Sequence, residues 1–586
     1  MRKLTRFGLA AITAAVAAVP GFSGALVANA VTTNCAGLQA ALNAGGTVVL
    51  SDSILCTGAY TLPTAVVLQG ADAAQGFDGA SHADTPSLAG DDSGPVTIQN
   101  LTFVNNSNSL STPGAALRLN GDVTPRILDN RFFDNSSSGG VGGGAAVNPN
   151  PRANTIVVSG NTFGSPGHGN SALYYGGGLT LSGGGMVTIT NNTFNDNSVT
   201  DPSGAGNGGG GMSVFYFAST NGNRMTIDHN TFVGNDSRSS GGGATVLVNT
   251  DTGITADVVI SENVFRANHI SSSGASGVTA LGGGLVTENY GGGGFTQVHN
   301  LFEKNVIDPP RTVDNPEFDY GGGGEWISGG ITTSLNDTFL DNVVNTPETP
   351  NGAVGVGGGL AARGTGESNG VHVTATNMVV GGNTVGAEGE GGGIYAGGLG
   401  CRSDNANCPA EVRLNDSTVV GNTSGGSTGG IAGDDTDILH LANDIVTPNT
   451  GKGDSLAGFG TMEVQYTDAC NQSNAAYTGT GNTCADPLLV SPTAGAIDVH
   501  QTAASPTRNA GLDSLVTVGV TEDYEGDARI QEAAVDMGAD EFTPVAPGLP
   551  AAGARPAGAI PDIAVVLVAL ALALACGLAL QARRAG

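Results

Sequence analysis

Two short segments of the chain place a carboxylate close to an aromatic side chain. Glu325 directly precedes Trp326, the only tryptophan, and Glu288 stands two residues before Tyr290. Paired carboxylates can act as acid, base or nucleophile on a glycosidic bond, and aromatic rings line many ligand sites. The segments therefore predict Glu325 and Glu288 as candidate catalytic residues, with Trp326 and Tyr290 binding a polysaccharide. The alternative interpretation is that all four lie at strand ends facing solvent.

A second candidate site is the acidic loop that contains Asp434, Asp435 and Asp437. Calcium prefers several carboxylate oxygens on flexible loops, so these aspartates are candidate metal ligands. Their spacing differs from that of an EF-hand, and a solvated acidic surface is the alternative. No motif requires a cofactor, and calcium is the one metal these loops suggest. Further acidic clusters occur at Glu388 and Glu390, and at Glu522, Asp523, Glu525 and Asp527.

The composition restricts the partners of these residues. The 586 residues include 51 Asp and Glu against 21 Lys and Arg, which gives a formal net charge of −30. Phosphate backbones attract basic surfaces, so binding to nucleic acid is not expected. Acidic glycans would be repelled unless cations intervene. The 96 glycines follow no G-X-Y period, which excludes a collagen triple helix.

A repeated phrase through the middle of the chain supplies the elements that would position these residues. It consists of an alternating strand, then Asn-x-Phe, and a further Asn three residues after the Phe. The aromatic position is occupied by Phe103, Phe132, Phe163, Phe194, Phe232, Phe265, Phe302 and Phe339, and then by Val380 and Val419. Glycine runs precede a second, mostly apolar strand and begin at Gly142, Gly176, Gly208, Gly241, Gly282, Gly321, Gly357, Gly391 and Gly429.

This periodicity predicts a solenoid of parallel strands. One coil cannot bury its apolar face alone, whereas stacked coils place each Phe between two others. Asparagines at a fixed corner can hydrogen-bond one another along the axis. Glycine runs suit tight corners with positive φ, where a Cβ would clash, and they argue against helical repeats.

The cysteines and both chain ends predict export. Pairing by proximity gives the disulfides Cys35–Cys56, Cys401–Cys408 and Cys470–Cys484, with metal ligation as the alternative. A basic start, an apolar run and an A-x-A site predict a secretory signal peptide over residues 1–30. An uncharged apolar run followed by two arginines predicts a transmembrane sorting tail over 562–586. The linker 546–561 contains Leu-Pro-Ala-Ala-Gly, a variant of the LPxTG signal read by sorting enzymes.

The repeated units resemble right-handed parallel β-helix proteins of the pectate-lyase-like class over roughly residues 35–545. The resemblance implies an all-β, single-stranded solenoid of about ten or more coils. It also implies that a short helix beginning at Cys35 caps the N-terminal end. The corresponding division is a cap with the first coils over 31–95 and repeats over 96–445.

Four phrases in the C-terminal region, 446–545, resemble the end of bacterial choice-of-anchor Q domains. They are Cys484–Leu488, Ser505–Gly511, Asp523–Arg529 and Val535–Phe542. The resemblance implies a β-helix displayed at the cell surface and names no reaction.

Two functional hypotheses follow. The first is an adhesive or structural protein that binds carbohydrate or extracellular matrix. It is either anchored at the cell surface or envelope, or released after C-terminal processing. The second is an envelope-tethered polysaccharide lyase or glycoside hydrolase. Motifs of polygalacturonase-like enzymes occur only as fragments in the wrong order, with Gly167-His168-Gly169 before Asn249-Thr250-Asp251. This order favours the first hypothesis, and the enzyme stays the alternative.

Overall fold

The computed structural model describes residues 30–543, except 53–54, 64, 82–83, 112, 151–154, 202–207, 272–279, 309–319, 346–353, 365–369, 398–408 and 472–474. Residues 1–29 of the predicted signal peptide, the linker, the sorting tail and the pair Cys401 and Cys408 lie outside these residues. Within the part of the chain described, no helix is both long and apolar enough to cross a membrane.

The chain is a parallel β-solenoid, which confirms the predicted stack of parallel strands. Each complete coil contributes one strand to each of four long sheets, which we number 1 to 4 in the order that the chain visits them. Every strand of these sheets pairs in parallel with its equivalents in the neighbouring coils, as in the register Ile156↔Val187↔Met225 of sheet 1. Because consecutive residues of a strand point to opposite faces, alternate side chains enter a continuous apolar interior.

The strands of the four sheets have the following bounds. Sheet 1 contains Val31–Thr33, Gly46–Leu50, Val66–Gly70, Gly94–Gln99, Val123–Leu128, Thr155–Ser159, Met186–Thr190, Arg224–Asp228, Thr255–Ser261, Gly292–Val298, Gly330–Leu335, Val371–Thr376, Ala410–Asn415, Ile438–Ala442 and Thr461–Gln465. Sheet 2 contains Gly76–Asp78, Thr102–Val104, Arg131–Phe133, Thr162–Phe163, Thr193–Asn195, Thr231–Val233, Val264–Arg266, Leu301–Glu303, Thr338–Leu340, Val379–Gly381 and Thr418–Val420. Sheet 3 contains Ser107–Asn108, Ser136–Ser137, Ser171–Ala172, Ser198–Val199, Asp236–Ser237, His269–Ser271, Val306–Asp308, Val343–Val344, Thr384–Ala387 and Thr423–Gly425. Sheet 4 contains Tyr60–Thr61, Leu88–Asp91, Leu117–Gly121, Ala145–Pro149, Leu179–Gly183, Met212–Ala218, Ala244–Thr250, Leu285–Asn289, Glu325–Ser328, Leu360–Arg363, Ile394–Gly397, Ile431–Ala432 and Leu456–Ala457.

The remaining elements are short. Ala280–Leu281, Tyr320–Gly321 and Gly355–Val356 form a three-stranded parallel sheet, and Leu489–Ser491 pairs antiparallel with Asp498–Gln501. Turns of 3₁₀ helix occupy Gly79–Ser81 and Asp513–Leu515.

One α-helix, Cys35–Ala44, precedes the first full coil. It begins at Asn34, whose side chain accepts a hydrogen bond from the Gly37 N–H at 3.0 Å. Its buried residues Leu38 and Leu42 pack into the start of the interior. The disulfide Cys35–Cys56 fastens the beginning of this helix to the chain that follows, and Cys470–Cys484 forms the second bridge. Both disulfides were predicted from the sequence and are confirmed.

Sheet 2 carries a column of stacked phenylalanines. From Phe103 to Phe339, successive ring centroids lie 4.5–5.0 Å apart, and the ring planes differ by only 2–7°. This spacing matches the separation of about 4.8 Å between paired strands. Phe77 extends the column at a centroid distance of 5.1 Å, although it lacks the Asn-x-Phe phrase. Val380 and Val419 continue the same register.

Two ladders of asparagines, buried except for the half-buried Asn449, run beside this column. The first ladder, between sheets 1 and 2, joins side-chain amides at 2.9–3.0 Å and contains Asn130, Asn161, Asn192, Asn230, Asn263 and Asn300, ending at Asp337. The second, between sheets 2 and 3, has amide contacts of 2.7–3.0 Å and contains Asn106, Asn135, Asn170, Asn197, Asn235, Asn268, Asn305, Asn342, Asn383, Asn422 and Asn449. In the middle of a ladder each amide donates along the axis and to a backbone carbonyl, and it accepts from the preceding coil.

The second ladder yields a prediction for Asn235→Asp. The new carboxylate can still accept from Asn197, but it faces Asn268 Oδ1 and Phe194 O, to which the amide now donates at 2.9 and 3.0 Å. Each of these two buried acceptors then loses the side-chain donor and faces a carboxylate oxygen, although Asn268 Oδ1 keeps the Asn235 N–H at 3.1 Å. Unfolding in urea should therefore require about 3 kcal/mol less free energy at neutral pH. The loss should shrink in acid, where a protonated carboxyl can donate once.

The control for this substitution is Asn221→Asp at an exposed position. Asn221 accepts a hydrogen bond from the Thr255 N–H at 3.2 Å through its oxygen, which aspartate retains. An equal effect in both variants would show that added negative charge, and not the broken ladder, causes the loss.

The glycine runs serve two separate steric needs. In most runs the first glycine has positive φ, as at Gly176 with φ 57°, whereas in the run from Gly321 it is Gly322. The next two approach the neighbouring coil, because a Cβ on Gly177 would lie 2.4 Å from Gly210 O and one on Gly178 2.8 Å from Gly211 O. Positive φ therefore explains one glycine in most runs, and strand-to-strand contact explains the others.

A C-terminal segment, residues 486–543, folds back onto the outer face of sheet 2 and is called the C-terminal module below. Its Val499 and Met537 form an apolar cluster with outward side chains of the last coils, including Leu340, Val379 and Val420. Hydrogen bonds reinforce this contact, for example from Ala539 N to Thr418 Oγ1 at 2.9 Å and from Gly538 N to Asn443 O at 2.7 Å.

The predicted C-terminal phrases converge on a buried arginine. Arg529 is 1% exposed and donates to the carbonyls of Asp536, Gly538 and Ala539 at 3.2, 2.6 and 3.0 Å. It forms an ion pair with Glu541 at 3.1 Å and lies 3.9 Å from Asp416 of the solenoid. The arginine of the third phrase thus shapes the turn of the fourth and joins both to a coil more than a hundred residues earlier.

Candidate functional site

The neighbouring residues Glu325 and Trp326 lie on opposite faces of sheet 4. Glu325 is fully buried in the solenoid interior, where its Oε1 accepts from Gln297 Nε2 at 2.6 Å and from Thr287 Oγ1 at 3.2 Å. Its Oε2 has no hydrogen-bond partner among the residues described. Burial, together with the nearby charge of Asp337, raises the pKa of Glu325 to about 8, although the hydrogen bonds from Gln297 and Thr287 oppose the rise. The candidate catalytic role of Glu325 is therefore corrected, because a polymer cannot reach its carboxyl.

Trp326 points outward but is only 4% exposed. It packs with Val286, Val356, Ala361 and Tyr395 in an apolar cluster on the outer face of sheet 4. The predicted aromatic platform for a sugar is therefore wrong for Trp326, whose ring is covered. An acid and an aromatic at consecutive strand positions cannot face one ligand, because the strand turns them to opposite sides.

Arg363 lies over this cluster. Its Cζ atom is 5.6 Å from the centre of the Trp326 ring, within the range of a cation–π contact. Burial lowers the pKa of Arg363 to about 10, while Tyr395 and Asp434 act in the opposite direction. The outer face of sheet 4 thus contains a cation held against an aromatic ring, which the sequence analysis did not identify.

Glu288 and Tyr290 do share a face. The Tyr290 hydroxyl donates to Glu288 Oε2 at 3.0 Å, and Tyr290 is 39% exposed. Burial raises the pKa of Glu288, and the hydrogen bond from Tyr290 opposes that rise. Of the four residues proposed for sugar chemistry, these two keep a position that a ligand can approach.

The three aspartates proposed as calcium ligands do not converge. Asp437 is buried and accepts from the N–H groups of Ala410 and Asp434, both at 2.8 Å, so it closes a turn. Asp434 accepts both its side-chain bonds from the Tyr395 hydroxyl at 3.1 and 3.2 Å, while Asp435 is exposed. The predicted calcium site at these aspartates is therefore corrected, because both carboxylate oxygens of Asp437 accept hydrogen bonds from backbone N–H groups.

Asp434 and Asp435 instead line a cavity of about 480 Å³ beside the last strands of sheet 4. We call this cavity the acidic cleft; its polar lining comprises Glu390, Ser427, Thr428, Asp434, Asp435 and Thr436. The Ser427 hydroxyl lies 3.3 Å from Glu390 Oε1. Burial raises the pKa of Glu390, and the charge of Asp434 raises it further. Carboxylates and hydroxyls around a volume of this size can accept and donate hydrogen bonds to a polyhydroxylated ligand.

The sequence indicates the positions of the acidic-cleft residues in their coils but not their contacts with one another. Glu390 stands next to a glycine run, and Asp434 follows a strand of sheet 4, so both occupy coil corners. Tyr395 and Asp434 are brought together because Tyr395 pairs with Ala432, two residues before the aspartate. An aligned register of successive coils could have identified this contact, whereas a search for adjacent residues could not.

No protein-family model matches this chain, and no curated protein matches it. The fold and the cleft therefore define only a structural class, an all-β parallel solenoid with an acidic cleft at the end of one sheet.

Proposed function

We propose that this protein is an exported, cell-surface-anchored parallel β-helix that binds carbohydrate through the acidic cleft. Its supporting observation is the grouping of Glu390, Asp434 and Asp435 with three hydroxyl residues around one cavity. We assign the fold to the right-handed, pectate-lyase-like class, with a choice-of-anchor Q type C-terminal region. In this proposal the helix Cys35–Ala44 is the N-terminal cap, and the tail is processed by a sorting enzyme and holds the chain at the membrane.

The charge of the chain indicates which carbohydrates fit. Between residues 31 and 553 there are 15 Lys and Arg against 50 Asp and Glu, a net charge near −35. A carboxylate-lined cavity in such a chain repels uronic-acid polymers and favours neutral or amino-bearing glycans. The same chemistry would serve adhesion to a glycan of the extracellular matrix.

We predict that glycan binding depends on Glu390 and Asp434. The purified full chain is titrated with neutral, amino-bearing and acidic polysaccharides, in parallel with Glu390→Gln and Asp434→Asn. Hydrogen bonds to charged groups contribute about 1.5–3 kcal/mol, so each substitution should weaken binding by roughly 10-fold to 100-fold. Acidic polysaccharides should bind most weakly.

The matched control is Glu388→Gln, two residues from Glu390. The Glu388 side chain is 81% exposed and pairs with Lys452 at 3.1 Å, outside the cleft. Its replacement should leave affinity unchanged. Binding that survives in both cleft variants, or that falls equally in the control, would contradict the cleft as the binding site.

One observation favours a second function, an envelope-tethered glycoside hydrolase. Glu390 and Asp434 line the same cavity, and the pKa of Glu390 is raised by burial and by Asp434, as suits a general acid beside an ionised carboxylate. Release of new reducing ends from the same polysaccharides separates the two functions. Turnover abolished by Glu390→Gln supports the hydrolase, whereas binding without turnover supports the adhesive protein.

A further inference from the structure

Three separated segments of the C-terminal module bring potential metal ligands together, far in sequence from the acidic cleft. His500 lies on the second strand of the antiparallel pair, and Glu525 and Asp540 belong to the third and fourth C-terminal phrases. His500 Nε2 is 2.9 Å from Glu525 Oε2. One ligand atom of each of the three residues lies within 4.8 Å of the other two.

The imidazole is held in the orientation that a metal ligand requires. Asp498 Oδ1 contacts His500 Nδ1 at 2.5 Å, which leaves Nε2 directed at Glu525 and Asp540. A carboxylate on the far nitrogen is the common outer partner of metal-bound histidines, because it sets the tautomer and ring orientation. The Tyr524 hydroxyl lies 3.2 Å from Glu525 Oε1 and positions the second carboxylate in the same way.

The charges around His500 are unbalanced without a further cation. Asp498, Glu525 and Asp540 present three carboxyl groups to a single imidazole. Asp540 is 3% exposed, and its Oδ2 accepts from the Gln501 N–H at 3.2 Å. Across the described residues, no hydrogen bond reaches its other carboxylate oxygen. A nearly buried carboxylate with an unused oxygen, directed at a histidine and a glutamate, is suited to a cation.

We propose that His500, Glu525 and Asp540 bind one divalent transition-metal ion, with Zn²⁺ as the ion that best matches this ligand set. Zinc takes imidazole nitrogen and carboxylate oxygen at about 2.0–2.2 Å in tetrahedral geometry, which separates its ligand atoms by about 3.3 Å. The pair His500 and Glu525 already has nearly this spacing, so only small side-chain shifts are needed to complete the set. Side-chain exposures of 31% for both residues leave a path for entry and a fourth position for water.

This site would fasten three segments of the C-terminal module to one another. The other group of this kind in the described part of the chain, Cys35, Asp52 and Cys56, offers no thiolate because its sulfurs form a disulfide. The zinc site shares no residue with the acidic cleft, so either site can be absent without the other.

The test measures zinc binding to the full chain after removal of metal with a chelator. One equivalent of Zn²⁺ should bind with micromolar or tighter affinity by calorimetry and should raise the melting temperature. Co²⁺ in place of Zn²⁺ should give the visible absorption of a tetrahedral site. His500→Gln and Glu525→Gln should each abolish stoichiometric binding while preserving the far-ultraviolet circular dichroism of the sheets.

The control is His299→Gln, because His299 also pairs with a carboxylate, Glu262, at 2.8 Å, but does not belong to the three-residue group. This variant should bind zinc as the parent chain does. Zinc binding that is absent, that occurs only at millimolar concentration, or that persists in both module variants would overturn the proposal. In that case His500 is an imidazolium paired with Asp498 and Glu525, and no metal is involved.

Discussion

Replacing Arg529 with methionine is expected to detach the C-terminal module from sheet 2 while the solenoid stays folded. The substitution removes the donor for three backbone carbonyls and the positive charge beside Glu541 and Asp416. Burial raises the pKa of both Glu541 and Asp416, and the Arg529 guanidinium acts to lower both, so it favours their charged forms. Without the guanidinium, these buried carboxyls lose their main compensating charge.

The expected size of this effect follows from the burial of the whole cluster. Removing one partner of a buried ion pair destabilises proteins by about 3–5 kcal/mol, because the other charge is left uncompensated. Docking of the module also depends on the apolar contact with Leu340, Val379 and Val420, which an undocked module exposes to water. The loss should therefore appear as opening of residues 486–543, with little change in the coils before Leu301.

Hydrogen exchange and limited proteolysis measure this opening directly. Backbone amides of the module should exchange faster in Arg529→Met, and proteases should cleave within it. Arg508→Met is the control, since Arg508 pairs with Glu532 at the surface of the same module, where water screens the interaction. Exchange rates in Arg529→Met that match those of the control would refute the role of Arg529. Adding Glu541→Gln to Arg529→Met should restore part of the protection.

Replacing Glu325 with glutamine is expected to stabilise the solenoid at alkaline pH. The pKa of Glu325 is raised from 4.5 to about 8 by burial. At pH values between these two, the folded chain holds a proton that the unfolded chain has released. Stability from this group is therefore fully present below pH 4.5 and falls as the pH rises through 8. One pKa unit corresponds to about 1.4 kcal/mol, so the loss above pH 8 is roughly 4–5 kcal/mol.

Glutamine keeps the oxygen that accepts from Gln297 and Thr287 and cannot ionise. Urea unfolding midpoints of Glu325→Gln and the parent chain should coincide below pH 4.5 and separate progressively between pH 4.5 and 8, with the variant more stable. Glu522→Gln, at an exposed acid, should follow the parent chain throughout. A constant difference at all pH values would mean that shape, and not ionisation, governs this position.

Much of the fold could be predicted because its repeats are local. The Asn-x-Phe phrase places a ring and two amides at fixed points of each coil, so stacking along the axis follows from recurrence alone. Phe77 escaped this pattern because Gln75-Gly76 precedes it in place of Asn-x. The glycine runs were located correctly, but in most runs only one glycine has the predicted positive φ, and Gly429 and Gly430 lack it. The other glycines are required because the backbones of neighbouring coils are close together, and only the strand register shows this closeness.

The candidate sites were harder to predict, for reasons that particular residues show. Period-two alternation alone would have separated Glu325 from Trp326 and kept Glu288 with Tyr290, since residues i and i+2 share a face. Asp434 and Asp437 have different roles because the carboxylate of Asp437 closes the turn, whereas that of Asp434 contacts Tyr395. The spacing of the aspartates in the sequence does not reveal which carboxylate closes the turn.

The sequence by itself therefore determined the parallel stack and its aromatic and amide columns, because each depends on residues at recurring positions of one repeat. It also determined two disulfides, because their cysteines are close along the chain. Only the tertiary structure decided what meets across coils: Tyr395 with Asp434, Arg529 with Asp416, and His500 with Glu525 and Asp540. Loops of unequal length separate the coils, so distance along the chain does not give distance in space. Register and the return of the C-terminal module set these contacts, and both arise from packing over the whole molecule.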